Sequence, residues 1–166
     1  MTNPATPRLL IVDDDLVVRM IAAEALKASG FEVSEAGDGA SGLDQIEKSR
    51  PDLVLLDVMM PGMDGYEVCR AMRNRPALAH IPVIMLTGLD HTASIHRSYD
   101  SGARDFIAKP ITATLLAYRV RYALRASQMV EEIDRHRNRI ANAQRIAHLG
   151  IWGWQPAGAG FECSSE

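Results

Sequence analysis

The sequence predicts an α/β fold whose core is a doubly wound parallel sheet, and two observations lead to this prediction. Five short apolar runs alternate with stretches of helical periodicity, and they begin near Arg8, Glu32, Leu53, Pro82 and Asp105. Three of these runs end at charged residues. Strands that alternate with helices indicate parallel β/α units, because a parallel connection needs a crossover. The carboxyl ends of such strands line one crevice, where we expect the functional site.

The stretches between the apolar runs have the periodicity of amphipathic helices, with glycine and proline at their ends. Helices are predicted for residues 16–29, 40–49, 65–74 and 91–101. Five β/α units at this spacing predict the flavodoxin-like strand order 2-1-3-4-5. Right-handed crossovers would place helices on both faces of the sheet.

Charged side chains stand directly after three of the predicted strands. They are Asp13, Asp14 and Asp15 after the first strand, Asp57 after the third and Lys109 after the fifth. Crowded carboxylates repel one another unless a cation shares their site. Oxygen ligands without Cys or His suit Mg²⁺, or Mn²⁺, better than zinc. A carboxylate beside such an ion, with a lysine opposite, is equipped to accept a phosphoryl group, and we interpret Asp57 as that nucleophile.

Taken singly, each of these charged residues also has an ordinary structural role. An aspartate that follows a strand is a common helix cap, which suits Asp13 to Asp15, and Asp57 or Lys109 alone would pass as a loop charge. The three strand ends meet in one crevice, and this joint occurrence favours a functional site over helix caps and loop charges.

Two longer motifs and two shorter ones carry a family resemblance. They are VDDD at residues 12–15, DVMMPGMDG at residues 57–65, Thr87 after the fourth run and Lys109-Pro110 after the fifth. Together they resemble the receiver domain of two-component response regulators over residues 8–124. The resemblance implies a signalling switch that accepts a phosphoryl group from a histidine kinase or phosphotransfer protein, and a phosphoacceptor domain that is not itself an enzyme.

The resemblance also implies roles for the acidic residues. Asp57 would be the phosphoacceptor. Asp14 and Asp57 would bind Mg²⁺ with the backbone carbonyl of Met59, while Asp13 would act largely through water. Met59 and Leu89 occupy positions at which family members tune the phosphoryl lifetime, and their apolar character predicts slow hydrolysis.

The matched positions on the fourth and fifth strands would complete the switch. Thr87 and Lys109 would hold the phosphoryl oxygens, and the peptide before Pro110 would be cis. Phe106 takes the switch-aromatic position without a phenolic hydroxyl, so we expect the switch to depend on burial of its ring. Gly88 stands where alanine is more usual in the family.

Three other functions match parts of the sequence. Residues 37–42 fit the motif G-x-G-x-x-G, which is typical of dinucleotide-binding sites. Here the motif follows the second strand instead of the first, so we interpret its glycines as a turn and a helix start. A haloacid-dehalogenase-type phosphatase needs a second aspartate where this chain has Met59. A phosphate-independent scaffold with the receiver fold is the alternative that stays open, although a scaffold has no use for a crowded acidic crevice.

The sequence after the fifth strand predicts one long helix, because no glycine or proline interrupts it before Gly150. Within residues 122–147, alternate steps of four and three predict a parallel two-stranded coiled coil and a homodimer. The seam positions are Tyr122, Ala126, Met129, Ile133, His136, Ile140, Ala143 and Ala147. A single helix packed on its own domain is the alternative.

The last residues differ in character from the receiver region. Residues 143–154 resemble the first helix and first strand of a PAS sensory domain. We therefore expect four parts: an N-terminal tail (1–7), a receiver domain (8–124), a helical coiled-coil linker (125–149) and the truncated start of a PAS-like domain (150–166). The chain would then be a fragment of a longer, bacterial signalling protein with its output domain further on.

Composition excludes several other classes of protein. The net charge of −3 and the dispersed basic residues give no nucleic-acid footprint. No apolar run reaches the roughly 20 residues of a membrane helix, and the N-terminus lacks a signal-peptide core. Cys69 and Cys163 form no disulfide framework. We predict a cytoplasmic protein that contacts neither DNA nor membrane directly.

Overall fold

All five apolar runs form strands of one parallel sheet. The computed structural model describes residues 6–88, 100–147, 152–153 and 162–163. The strands are β1 (Arg8–Val12), β2 (Glu32–Ala36), β3 (Leu53–Asp57), β4 (Val83–Thr87) and β5 (Asp105–Ala108). Their order is β2-β1-β3-β4-β5, and every neighbouring pair is parallel. The predicted fold class and strand order are confirmed.

Three helices lie between the strands of the described part, and a long helix follows β5. They are α1 (Leu16–Ala28), α2 (Gly39–Ser49), α3 (Gly65–Arg73) and the long helix (Ala113–Ala147). The helix predicted for residues 91–101 lies largely outside the described residues.

An aspartate caps each of the first three helices. The side chains of Asp15, Asp38 and Asp64 accept hydrogen bonds from backbone N–H groups of the first turn. In α3 the cap is reciprocal, because Glu67 Oε2 also accepts the Asp64 N–H at 2.9 Å. Such caps satisfy donors that have no partner within the helix, and each is worth about 1 kcal/mol. They fix where each helix starts relative to the strand end before it.

The sheet has an apolar core on each face, because its central strands alternate two sets of buried side chains. Leu10, Val12, Val54 and Leu56 join a cluster with residues of α2 and α3. The intervening residues of the same strands join a second cluster with residues of α1 and the first turns of the long helix. Strands buried on both faces explain why the runs are continuously apolar.

The G-x-G-x-x-G segment is explained by close packing. A Cβ added to Gly39 would lie 2.4 Å from the Met63 carbonyl oxygen, and one added to Gly42 would lie 2.7 Å from Val12 Cγ1. Both distances are too short for a side chain, so glycine is required where α2 approaches β1 and the loop before α3. This agrees with the structural interpretation of these glycines.

The predicted long helix is present and runs over 35 residues. Its early turns bury Leu116, Val120 and Leu124 against the core. Residues 1–127 form one compact unit and residues 128–166 a second. The second unit contains the rest of this helix and a short antiparallel pair, β6 (Trp152–Gly153) and β7 (Glu162–Cys163).

Several predictions about the C-terminal part stay predictions. The side chains at the last seam positions, residues 140, 143 and 147, and most of the proposed PAS-like segment lie outside what the structure describes. The coiled coil, the homodimer and the domain boundaries are therefore untested by this fold. Within the described ranges, no helix has the length and apolar character needed to cross a membrane.

Candidate functional site

The carboxyl ends of β1, β3 and β5 bring three charged side chains into contact. Asp13 directly follows β1, Asp57 ends β3 and Lys109 directly follows β5. Lys109 Nζ lies 2.8 Å from Asp13 Oδ2 and 3.0 Å from Asp57 Oδ1. One ammonium group therefore bridges two carboxylates that are both buried.

Asp13 is fully buried, and each of its carboxylate oxygens faces a donor group. Its Oδ1 accepts the Asp15 N–H at 2.9 Å. Its Oδ2 lies 2.8 Å from the Lys109 ammonium, so both carboxylate oxygens of Asp13 have a close partner.

The three acidic residues of the crevice are close enough to share a metal ion. One carboxylate oxygen from each of Asp13, Asp14 and Asp57 lies within 4.8 Å of the others. Asp14 is exposed, whereas the other two are buried. The cluster therefore opens to solvent on one side, and the residues fit a hard divalent cation held by oxygen ligands.

Burial and crowding shift the pKa values of the central pair. Burial raises the pKa of Asp57, the hydrogen bond from Lys109 lowers it, and repulsion from Asp13 raises it again, so that the net shift is upward. For Lys109, burial acts to lower the pKa, but the hydrogen bonds that it donates to both aspartates, and their negative charge, outweigh this effect and raise the pKa. The charged Asp57 carboxylate is thus disfavoured in the folded protein, while Lys109 stays protonated.

Asp57→Asn is expected to be more stable than the wild type at pH 7 without divalent ions, by about 1 kcal/mol. Because folding raises the pKa of Asp57, the protein loses stability as the pH rises from the pKa of this aspartate in the unfolded state through its pKa in the folded state. Asparagine removes that loss, and Lys109 keeps Asp13 as a partner. Urea unfolding at pH 7 and near pH 4 measures the difference, which should shrink at the lower pH. A variant less stable than wild type at pH 7 would contradict this account.

The loop after β3 is held by close backbone contacts with the start of α3. Gly65 at the start of α3 donates its N–H to the Val58 carbonyl at 3.0 Å. A Cβ on Gly65 would lie 2.1 Å from the Asp57 carbonyl oxygen, so only glycine fits there. Met59, two residues after Asp57, is 76% exposed at the mouth of the crevice.

The remaining predicted site residues lie at the ends of β4 and β5. Thr87 is buried, its hydroxyl donates to the Gly88 carbonyl at 3.1 Å, and its carbonyl accepts the Lys109 N–H at 2.7 Å. The peptide between Lys109 and Pro110 is cis. Phe106 is half-buried and packs against the core on the α2 and α3 face. Leu89 lies outside the described residues.

Sequence reasoning did not identify one residue that contacts this site. Arg19 on α1 donates from Nη1 to the Asp13 carbonyl at 2.5 Å, and its side chain is only 15% exposed. The available signal was a single cation in the otherwise apolar stretch LVVRMIAA, immediately after the acidic triplet.

A family model decides the identity of the fold. The model for the response regulator receiver domain matches residues 9–121. The chain belongs to the response regulator receiver family. Receiver domains are regulatory phosphoacceptors, which agrees with the prediction of a regulatory domain that is not an enzyme.

Two curated relatives are similar to most of the chain. Response regulator PleD of Caulobacter vibrioides is 42% identical over 140 residues, which are 84% of this chain and 30% of PleD. The DNA-binding dual master transcriptional regulator RpaA of Synechocystis is 36% identical over 130 residues, 78% of this chain and 54% of RpaA. The chain thus spans only about a third to a half of these proteins.

Solved structures show the same receiver fold. The signal receiver domain of a signal transduction histidine kinase from Syntrophus aciditrophicus is 36% identical, with a TM-score of 0.68, and the match covers 73% of this chain and 92% of that one. A CheY-like receiver domain protein from Methanospirillum hungatei is 28% identical, with a TM-score of 0.70. The match covers 75% of this chain and 98% of that one.

Proposed function

We propose that this receiver is a Mg²⁺-dependent phosphorylation switch whose phosphoacceptor is Asp57. The observation that carries the proposal is the bridge that Lys109 makes between two buried carboxylates beside a third, exposed one. In the reaction, an Asp57 oxygen attacks the phosphorus of a phosphohistidine on a histidine kinase or phosphotransfer protein. The P–N bond breaks as the P–O bond forms, and the imidazole leaves.

The acidic residues would hold the metal. Asp14 and Asp57 would coordinate Mg²⁺, or Mn²⁺, with the Met59 carbonyl, and Asp13 would bind it through water. When bound, the ion supplies positive charge that neutralises oxygens of the transferring phosphoryl group. In its presence Asp13 and Asp57 would lose part of their mutual repulsion, which would favour the charged form of Asp57 that attacks.

Lys109 and Thr87 would stabilise the product. The Lys109 ammonium lies 3.0 Å from Asp57 Oδ1, so it would be near the phosphoryl oxygens as they gather charge. The Thr87 hydroxyl would turn from the Gly88 carbonyl to a phosphoryl oxygen. Phe106 would then bury its ring more deeply, and a differential contact energy of a few kcal/mol suffices for such a switch. The apolar Met59 and Leu89 would keep hydrolysis slow.

The long helix would carry the signal out of the receiver. Its exposed apolar side chains Tyr122, Met129 and Ile133, each more than half accessible, lie on the predicted heptad seam. They support a homodimer through residues 122–147, in which phosphorylation changes the pairing of the two helices on the way to a PAS-like output region. Unchanged crosslinking across the seam with and without a phosphoryl mimic would refute this relay.

The partners follow from the same proposal. The chain would meet a kinase or phosphotransfer protein in the cytoplasm. The relative RpaA binds DNA, but with a net charge of −3 this chain is proposed to make no direct nucleic-acid contact. A receiver-fold scaffold that dimerises without phosphate remains the alternative function.

Thermal unfolding with a phosphoryl mimic separates the switch from the scaffold. We expect Mg²⁺ to raise the Tm, because a ligand that binds only the folded state at tenfold its Kd adds about 1.4 kcal/mol. Beryllofluoride should raise the Tm further, in the presence of Mg²⁺ only, and Asp57→Asn should lose this second increment. A wild type that responds to neither ligand would favour the scaffold.

A further inference from the structure

Arg19 contacts the backbone of Asp13, whereas Lys109 contacts its carboxylate. Its Nη1 donates to the Asp13 carbonyl at 2.5 Å, and its Nε lies 3.8 Å from Glu35 Oε2 on β2. The guanidinium also lies over Gly37, because a Cβ added there would be 3.6 Å from Nη1. A mostly buried arginine is thus fixed between the β1–α1 loop and the end of the edge strand.

The backbone of Asp13 is fixed on both sides by this arrangement. Its N–H donates to the Ala36 carbonyl at 3.2 Å, and its carbonyl accepts from Arg19. The carbonyl belongs to the peptide that joins Asp13 to Asp14. The orientation of that peptide sets the direction in which both carboxylates leave the backbone.

We infer that Arg19, anchored by Glu35, is a positioning residue that holds the Asp13–Asp14 peptide so that both carboxylates face the cation. The inference rests on the proposed metal-dependent function and adds to it a residue that contacts neither the metal nor the phosphoryl group. Removing a group that orients a metal ligand without touching the metal typically lowers metal affinity 10- to 100-fold.

The chemistry of the guanidinium suits this role better than that of an ammonium group. Arginine presents several N–H donors in a rigid plane, so it contacts the Asp13 carbonyl and Glu35 at once. Its fixed positive charge also offsets part of the repulsion among the three carboxylates when no cation is bound. A lysine would retain the charge and lose the two-directional contact.

Arg19→Met is expected to weaken Mg²⁺ binding about tenfold, as measured by backbone amide NMR shifts during titration of the chain with MgCl₂. Phosphoryl uptake from acetyl phosphate should fall at low Mg²⁺ and recover at saturating Mg²⁺, because the variant still has every reacting group. Arg70→Met on α3, which is exposed, is the matched control and should bind Mg²⁺ as the wild type does. Arg19→Lys should bind Mg²⁺ about as weakly as Arg19→Met does.

Other outcomes would overturn the inference. One is a Mg²⁺ affinity of Arg19→Met within twofold of that of the wild type. Another is a rate of phosphoryl uptake that does not recover at saturating Mg²⁺. The third is full rescue of Mg²⁺ affinity by Arg19→Lys, because the charge alone would then be the cause. If circular dichroism shows that Arg19→Met is unfolded, Glu35→Gln replaces it, with a severalfold loss of affinity expected and no loss counting against the inference. A wild type that fails to bind Mg²⁺ would instead refute the proposed function, and the inference with it.

Discussion

Lys109→Met is expected to slow phosphorylation of the protein by acetyl phosphate about 100-fold at saturating Mg²⁺. Lys109 Nζ lies within 3.0 Å of both buried carboxylates, so under the proposed function its charge would stabilise the transferring group as it becomes more negative. Removing one preorganised electrostatic contact of this kind typically costs 10²- to 10³-fold in rate. Methionine approximates the apolar stem of lysine and removes the ammonium group, with its charge and its N–H donors.

The time course of intact mass measures this rate. Lys48→Met is the matched control, because Lys48 pairs with Asp44 on the exposed surface of α2 and does not touch the crevice. We expect this control to follow the wild-type time course. A Lys109→Met rate within threefold of the wild type would show that the ammonium group contributes little to the transfer.

Gly65→Ala is expected to destabilise the fold by about 2–3 kcal/mol. The added Cβ would lie 2.1 Å from the Asp57 carbonyl oxygen, which is backbone and cannot rotate away. Relief requires α3 to shift from the end of β3, which would also displace the loop that carries Met59. Reduced phosphoryl uptake should therefore accompany the loss of stability.

Urea unfolding of Gly65→Ala beside Gly88→Ala tests this packing argument. A Cβ on Gly88 would meet no atom of the described residues within 4 Å, so that variant should unfold within about 0.5 kcal/mol of the wild type. Equal stability of the two alanine variants would contradict the steric explanation for Gly65.

Much of the fold follows directly from local sequence. The runs that form β1, β3 and β4 are buried on both faces, so their apolar character marks them, and the aspartates before α1, α2 and α3 mark the helix starts. The positions of Asp13, Asp57 and Lys109 at one edge of the sheet follow from parallel topology. The topology alone brings these charges together, whatever lies between them in the chain.

Other features depend on contacts that no local pattern encodes. The requirement for glycine at Gly42 and Gly65 arises from the approach of a distant side chain or backbone carbonyl. The contact of Arg19 with the Asp13 carbonyl depends on the side-chain path across the β1–α1 loop. The heptad pattern indicates an apolar seam, but a single chain does not contain the partner that would cover it.

Intact mass after incubation with acetyl phosphate, with and without Mg²⁺, tests the central claim most directly. We expect the wild type to gain one phosphoryl group only when Mg²⁺ is present, and Asp57→Asn to gain none. The modification should survive acid and be removed by base, as expected for an acyl phosphate. A gain that is retained in Asp57→Asn, or one that is independent of Mg²⁺, would contradict the assignment of this crevice as a metal-dependent aspartyl-phosphate site.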